Sequence, residues 1–277
     1  MQGKTVVATG ATSGIGAIAA VELARMGARI VFIARDARRA EATLANLETA
    51  APARGHRAHI ADLSLVTETR RIGGEIATSE SRIDVLINNA GAIFSDRRLT
   101  TEGLEMTFAL NHMAYFTLTR CLRDRLVGSA PARVVSTASA AHYGAKLDFD
   151  DLQCAHGYSA WRAYNRSKLA NILFTRELAK RLAGTGVTAN CLHPGVVASR
   201  FGDEAGGWTA RLFPFIKRFA ISPAQGADTI VYLASSPDVA TTSGEYFAKR
   251  RVKTPSAAAR DDQAAARLWE MSEAIAG

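Results

Sequence analysis

The chain has 277 residues, 48% hydrophobic and 22% charged, with 3 Cys, 6 His and a formal net charge of +8. That composition supplies ample core material and excludes wholesale disorder, and no run of about 18 uncharged apolar residues exists to span a membrane. Cys121, Cys154 and Cys191 are too few and too far apart for a disulfide framework or a zinc site, and the histidines form no metal-binding spacing. The positive charge suits an anionic partner, but no nucleic-acid-binding signature accompanies it, so no nucleic acid is expected. A phosphorylated cofactor needs only two or three of these charges, and the rest read as solvated faces.

Lys4 to Thr9 reads as a short apolar strand rather than a signal peptide, which with the cysteine usage sets the expectation of a reduced, cytoplasmic protein. Gly10-Ala11-Thr12-Ser13-Gly14-Ile15-Gly16 follows, then a helix from about Ile15 to Met26. A strand, a glycine-rich turn and a helix N-terminus together make an anion site: free backbone N–H groups and the positive end of the helix dipole. Glycine permits φ > 0 and a close approach of a pyrophosphate to the main chain. The spacing is G-x-x-x-G-x-G, not G-x-G-x-x-G, and no Gly-Lys-Ser/Thr of a P-loop follows. A turn that merely uses glycine is the alternative.

Arg29 to Ala34 is the second strand. An Asp or Glu at its end would bond a ribose 2′-hydroxyl. Here Arg35 stands there, and Arg39 lies one turn on, so the pair is placed to hold a 2′-phosphate by charge-assisted hydrogen bonds. NADP(H) is therefore expected rather than NAD(H), with Asp36 as a helix N-cap. The alternative is that both arginines are simply exposed on the next helix, which runs to about Thr49. His56 to Ile60 is a third strand, and Asp62 beyond it is either a turn residue or a group reaching an adenine amine. A helix follows to about Glu80, with Gly73-Gly74 a weak point, and Ile83 to Ile87 runs as a fourth strand into Asn88-Asn89-Ala90-Gly91.

Leu104 to Leu126 is the next helix, with Asn111 and His112 in its middle. Asn is unfavourable there, so it needs a specific partner, in the core or in a site. Arg133 to Ser139 is a fifth strand ending in hydroxyls. Ligands of open α/β sheets lie beyond the carboxyl ends of strands, which places Ser139 for substrate unless it is only a cap. No Gly or Pro interrupts Ser159 to Ala183, so the stretch reads as one long helix carrying Tyr164 and Lys168 four apart on one face. A free phenol has a pKa of about 10, and an adjacent ammonium lowers it toward use as an acid/base. A surface Tyr lying on a Lys stem is the plain alternative. Thr188 to Leu192 is the sixth strand, entering His193-Pro194-Gly195. A helix from Ser222 to about Ala234 follows, then an edge strand Glu245–Ala248, a basic irregular tail, and a last helix from Asp261 to Ala276. Strands alternating with helices predict an α/β fold: a Rossmann-type doubly wound parallel sheet of about seven strands with helices on both faces, one domain over 1–277.

In order along the chain, Thr9-Gly10-x-x-x-Gly14-x-Gly16, Asp62-Leu63, Asn88-Asn89-Ala90-Gly91, Asn111, Ser139, Tyr164-x-x-x-Lys168 and Pro194-Gly195 resemble the short-chain dehydrogenase/reductase family. Ser139 and Tyr164 stand 25 positions apart. That interval, with His142-Tyr143-Gly144, Leu147 to Leu152 and Trp161, is similar to the retinol dehydrogenase and protochlorophyllide reductase-like branch, as are Ser167 to Leu173 and Leu192-His193-Pro194-Gly195. The resemblance implies hydride transfer between NADP(H) and an alcohol or carbonyl carbon. It implies that Tyr164 gives or takes the hydroxyl proton, that Lys168 lowers its pKa and bonds the nicotinamide ribose, that Ser139 bonds the substrate oxygen, and that Asn111 holds a relay water. The implied cofactor contacts are Gly10, Ser13, Gly14, Ile15, Gly16, Arg35, Arg39, Asp62, Leu63, Asn89, Ala90, Gly91, Thr137, Pro194, Gly195 and Val197, besides Tyr164 and Lys168. Where the family often has Thr after its Pro-Gly loop, Ser199 stands here. Family members pair through helices, which leaves a homo-oligomer open.

The segment 200–222 is the expected substrate lid. Trp208, Leu212, Phe213, Phe215, Ile216 and Phe219 make it apolar, and Pro214 interrupts any helix it forms. It reads as a pocket wall, against core or oligomer packing and a membrane-surface patch as alternatives. The expected substrate is a small apolar alcohol, aldehyde or ketone. A non-catalytic NADP(H)-binding sensor or scaffold of the same fold is the alternative function. A sugar-nucleotide epimerase fits the glycine spacing less well, and a carrier-linked ketoacyl reductase fits the long Ser139–Tyr164 interval less well.

Overall fold

A computed structural model of the chain describes residues 1–195 and 222–277. The sheet is built from β1 (Thr5–Thr9), β2 (Arg29–Ala34), β3 (Arg57–Ile60), β4 (Val85–Asn88), β5 (Ala132–Thr137), β6 (Val187–His193), β7 (Tyr246–Ala248) and β8 (Arg251–Val252), in the order β3-β2-β1-β4-β5-β6-β7-β8. The first seven strands pair in parallel. Such strands need crossover helices, which cover both faces, and this is why β1 and β4 read as continuous apolar runs with every residue buried. The helices are α1 (Gly14–Arg25), α2 (Ala37–Ala50), α3 (Val66–Ser79), α4 (Met106–Phe108), α5 (Ala114–Gly128), α6 (Ala160–Arg181), α7 (Pro223–Ser235) and α8 (Asp262–Ala276).

Side-chain alternation along the strands splits the interior into two cores. Val7, Leu86, Val134 and Ala189 face one way, into a core with Ile72 and Ile76 of α3, Leu118 and Leu122 of α5, Leu169 and Leu173 of α6 and Leu268 of α8. Val6, Ala8, Val85, Ile87 and Val135 face the other way, onto Leu23 of α1, Leu47 of α2 and Ile230 and Leu233 of α7. Trp269 of α8 stacks on Phe174 of α6 at 5.9 Å, meets Phe116 of α5 edge-on at 4.9 Å and lies under the Arg181 guanidinium at 4.4 Å. The last helix is thereby fastened to the back of α6.

Three local features depart from the sequence expectations. β8 pairs antiparallel with β7 through the two-residue turn Lys249-Arg250, whose φ values are 51° and 59°. Two successive positive φ values make a type I′ hairpin turn, but Lys-Arg carries none of the Asn-Gly signal that normally marks one. The helix expected over Leu104–Leu126 is not uniform: α4 opens into a π-helical turn over Ala109–Met113 before α5 begins, and that turn carries Asn111 and His112. At Gly73 the helix α3 does not weaken. A Cβ there would lie 2.6 Å from Cys121 Cβ, so the glycine lets α3 and α5 approach closely.

The strand order reverses between β1, which continues to β2 and β3, and β4, which continues to β5. The crevice beyond the carboxyl ends of these two strands is where an open α/β sheet binds ligands. The lid segment 200–222, apart from Ser222, lies outside the described residues, as do Val197 and Ser199. Among the described residues no helix is long and apolar enough to cross a membrane.

Candidate active site

The crevice is laced together by Thr9 at the end of β1. Its hydroxyl accepts the N–H groups of Asn89 at 2.9 Å and Ala90 at 3.0 Å and donates to the Ile87 carbonyl at 3.3 Å. Asn89 Nδ2 donates to the Gly10 carbonyl at 3.3 Å, and Thr137 at the end of β5 donates to Asn89 Oδ1 at 3.1 Å. Gly10 has φ 67°, and a Cβ on it would come within 2.8 Å of Asn89 Nδ2 and 2.9 Å of the Ala90 backbone. A Cβ on Gly16 would run into the Gly10 carbonyl and the Asn89 amide. Positions 10 and 16 are therefore closed to any side chain. Gly16→Ala should cost about 2 kcal/mol or more of stability and abolish dinucleotide binding. Thermal melting and fluorescence titration with cofactor check it, and an unchanged midpoint would show that the turn yields.

Ser13 is the N-cap of α1 but makes no side-chain capping bond, and Ser13 and Gly14 are exposed, with Ile15 half-buried behind them. The first-turn N–H groups of α1 have no intrahelical acceptor and point toward the crevice mouth with the positive end of the helix dipole. This uncapped, glycine-lined helix start fits the pyrophosphate of a dinucleotide. Arg35 and Arg39 are both exposed at the end of β2 and the start of α2. Asp36 between them is the N-cap of α2, accepting the Arg39 N–H at 2.8 Å, and so is not directed at a ribose. Asp62 Oδ1 accepts both the N–H (2.9 Å) and the hydroxyl (2.8 Å) of Ser64, closing the turn after β3, while Leu63 is buried. At the end of β6, Gly195 has φ 98° and donates its N–H to His193 Nδ1 at 3.3 Å, with Pro194 between them.

On the other side of the crevice, Asn111 is fully buried and uses its whole amide. Oδ1 accepts the Ala92 N–H at 2.9 Å; Nδ2 donates to the Ala92 carbonyl at 2.9 Å and to Ser167 Oγ at 3.0 Å. The π turn thus pins the chain just past Gly91 to α6. A Cβ on Gly91 would lie 3.0 Å from Asn111 Oδ1 and 3.5 Å from Lys168 Nζ, so the 89–91 loop is pressed against both. Ser167 was named from the sequence only within the Ser167–Leu173 run and given no site role, although a hydroxyl between Tyr164 and Lys168 on the same helix was the available signal.

Lys168 is buried, and its ammonium donates to the Thr137 carbonyl at 3.0 Å, 5.7 Å from the centre of the Tyr164 ring and 5.8 Å from that of Tyr115. Ser139 lies two residues past β5 as the N-cap of a single 3₁₀ turn over Ala140–His142, accepting the Ala141 N–H at 3.1 Å. Tyr164 packs with Ile93, Ala141 and Ala160, with Trp161 edge-on at 6.2 Å. Burial pushes the Tyr164 phenol up to about 12, partly offset by its hydrogen bond with the Ser139 side chain. Burial pushes Lys168 down to about 7. For both groups the largest cause is removal from water, which disfavours the phenolate and the ammonium alike. What the sequence placed on one helix face, at one strand end and in one mid-helix position does meet, at the carboxyl ends of β4 and β5.

A doubly wound sheet with this glycine cradle and this Ser, Tyr and Lys beside it defines a dinucleotide-dependent oxidoreductase, and the chain belongs to the short-chain dehydrogenase family, whose sequence profile matches residues 4–209. Within the family it falls in the retinol dehydrogenase branch. It is similar to retinol dehydrogenase 13 of Homo sapiens, 40% identical over 281 residues that cover 99% of this chain and 85% of that protein. Among solved structures, an uncharacterized protein from Mycobacterium paratuberculosis matches with a TM-score of 0.79 and 34% identity, covering 99% of this chain and 94% of that one. The RhlG/NADP active-site complex of Pseudomonas aeruginosa matches with a TM-score of 0.70 and 29% identity, covering 89% and 94%.

Proposed function

We propose that the protein is an NADP(H)-dependent oxidoreductase that interconverts an alcohol and a carbonyl on an apolar small molecule, with Tyr164 as the acid/base. The observation that carries this reading is the meeting of Tyr164, Ser139 and Lys168 beside the Gly10–Gly16 cradle. Gly10, Ser13, Gly14, Ile15 and Gly16 would hold the pyrophosphate; Arg35 and Arg39 the 2′-phosphate; Asp62 and Leu63 the adenine end. Asn89, Ala90, Gly91, Thr137, Pro194 and Gly195 would line the nicotinamide end, and Val197, outside the described residues, is proposed as a further contact. Bound there, the nicotinamide supplies hydride chemistry.

The residues do the rest. Ser139 donates its hydroxyl hydrogen to the substrate oxygen. Tyr164 holds a proton on its phenol oxygen, gives it to that oxygen in reduction and takes it back in oxidation. Lys168, anchored on the Thr137 carbonyl, holds a positive charge or a proton close to the phenol. Asn111 fixes the loop past Gly91 and orders the path by which the proton is replaced. Trp161, Ile93 and Ala141 around the phenol favour an apolar substrate, as does the similarity to a retinol dehydrogenase, and the apolar segment 200–222 is proposed as the substrate lid.

The test is a screen of NADPH and NADH oxidation over apolar aldehydes, ketones and quinones. Turnover with NADPH preferred supports the reading. Tight NADPH binding with no turnover across the panel would leave a dinucleotide-binding sensor instead. In the same assay Arg35→Asp should cut the NADPH-over-NADH ratio of kcat/KM by about 10- to 100-fold, the size of a lost charge-assisted hydrogen bond. An unchanged ratio would show that Arg35 does not read the phosphate.

A further inference from the structure

Ser139 sits on a three-residue 3₁₀ turn, which has no cooperative run of helix to hold it in place. Beside the local bonds from the Ala141 and His142 N–H groups, it is held by the imidazole of His142, fully buried at the end of that turn. Nε2 of His142 lies 3.1 Å from the backbone nitrogen of Ser256. That N–H can only donate, so Nε2 carries no hydrogen and the ring proton is on Nδ1, which donates to the carbonyl of Ser139 itself at 2.7 Å. A neutral imidazole has one donor and one acceptor, and here both are spent on backbone groups, one in its own turn and one 114 residues away. Burial keeps the ring neutral by lowering its pKa, against the smaller opposing effect of the bond to Ser139. The ring is gripped by Tyr143 at 4.1 Å and, edge-on, by Tyr246 of β7 at 5.1 Å. Tyr143 adds a second tie to the same segment, donating its hydroxyl to the Thr254 carbonyl at 2.9 Å.

The segment 254–256 is itself anchored on both sides. Before it, the Lys253 N–H donates to the Tyr246 carbonyl at 2.8 Å; after it, Ser256 Oγ accepts the N–H of the buried Ala259 at 3.3 Å. α8 follows and is fastened to α6, the helix that carries Tyr164 and Lys168. The C-terminal segment is therefore a brace between the two arms of the site, the Ser139 turn and the Tyr164 helix. Misplacement by about 1 Å in such a constellation can cost about 100-fold in rate.

We propose that His142 is a positioning residue that, by bonding the Ser139 carbonyl with one ring nitrogen and the Ser256 N–H with the other, makes the C-terminal segment 254–256 part of the reductase site. This rests on the reading of Ser139 as the donor to the substrate oxygen. The test is a double-mutant cycle on the full chain with NADPH and decanal, or the carbonyl returned by the screen above, combining His142→Leu with Ser139→Ala. His142→Leu should lower kcat by about 10- to 100-fold with NADPH affinity changed less than about threefold, and in the Ser139→Ala background it should lower kcat by less than about threefold further. His142→Asn, whose amide can still donate to the Ser139 carbonyl, should recover part of the loss. Additive effects, or wild-type kcat in His142→Leu, overturn the proposal while leaving the role of Ser139 standing. Wild-type kcat in Ser139→Ala overturns that role and the proposal with it. Should the leucine variant not fold, Tyr143→Phe carries the same cycle: its ring is 51% exposed and only the bond to Thr254 is lost. A kcat loss that vanishes beside Ser139→Ala supports the brace, and an additive or absent loss overturns it.

Discussion

Tyr164→Phe is expected to lower kcat by about 100-fold or more while leaving the fold and NADPH binding in place, the size of effect that follows from losing a positioned general acid/base. The substitution removes one oxygen from a ring whose packing on Ile93, Ala141 and Ala160 is unchanged. Ser139, which donates to that oxygen, is only half-buried and still accepts the Ala141 N–H, so its freed hydroxyl hydrogen can turn to water rather than be stranded. Stability should change by less than about 1 kcal/mol for a single neutral hydrogen bond. Activity and stability thus separate, which a mutation that merely loosens the site would not achieve. The measurement is steady-state reduction alongside thermal melting, and near-normal turnover would remove Tyr164 from the role of acid/base.

The sheet was legible because parallel strands buried on both faces must be apolar throughout. Thr5–Thr9, Arg29–Ala34 and Val85–Asn88 announce themselves in that way and arrive with helices between them. The glycine turn was legible for a steric reason, now visible as the absence of room for any Cβ at positions 10 and 16. β8 was not legible, since two exposed residues have no burial pattern and Lys249-Arg250 reaches positive φ without glycine or asparagine. Neither was the π turn at Ala109–Met113, because one extra residue in a helical turn leaves the apolar periodicity of its neighbours almost unchanged.

In the site, Asn111 was flagged correctly as needing a partner, but that partner proved to be the backbone of Ala92 together with Ser167, a tertiary pairing no local pattern encodes. The same holds for His142. Its two backbone partners are 3 and 114 residues away, and nothing in the local sequence distinguishes it from a histidine packed in the core. The protonation of the Tyr164 and Lys168 pair was legible only in part. Spacing brings the two together, but their burial, which decides the sign of both shifts, belongs to the folded chain.

Lys168→Met should abolish at least about 99% of turnover and yet make the cofactor-free protein more stable. Burial lowers the Lys168 pKa from 10.5 to about 7, which corresponds to a penalty on the order of 3–5 kcal/mol for holding the charged form inside the fold. Methionine fills the same path without a charge. The acceptor left behind is not stranded, because the Thr137 carbonyl also receives Asn171 Nδ2 at 3.3 Å. A net gain of about 2 kcal/mol would raise the melting midpoint by about 3 °C in a chain of this size. The gain carries a pH signature of fixed sign. Below about 7 the folded and unfolded chains both hold the proton, so the wild type bears the full penalty. Between about 7 and 10.5 the unfolded chain binds a proton that the folded chain does not, so wild-type stability rises with pH relative to the variant. Above 10.5 neither state binds it and the difference is smallest. Melting both proteins at pH 6.5 and pH 9.5 therefore gives a gap that narrows at the higher pH. A variant less stable than wild type at pH 6.5 would mean that the ammonium is well accommodated in the ligand-free site. A stabilised, inactive Lys168→Met would instead show a lysine retained at the expense of stability for the chemistry it performs.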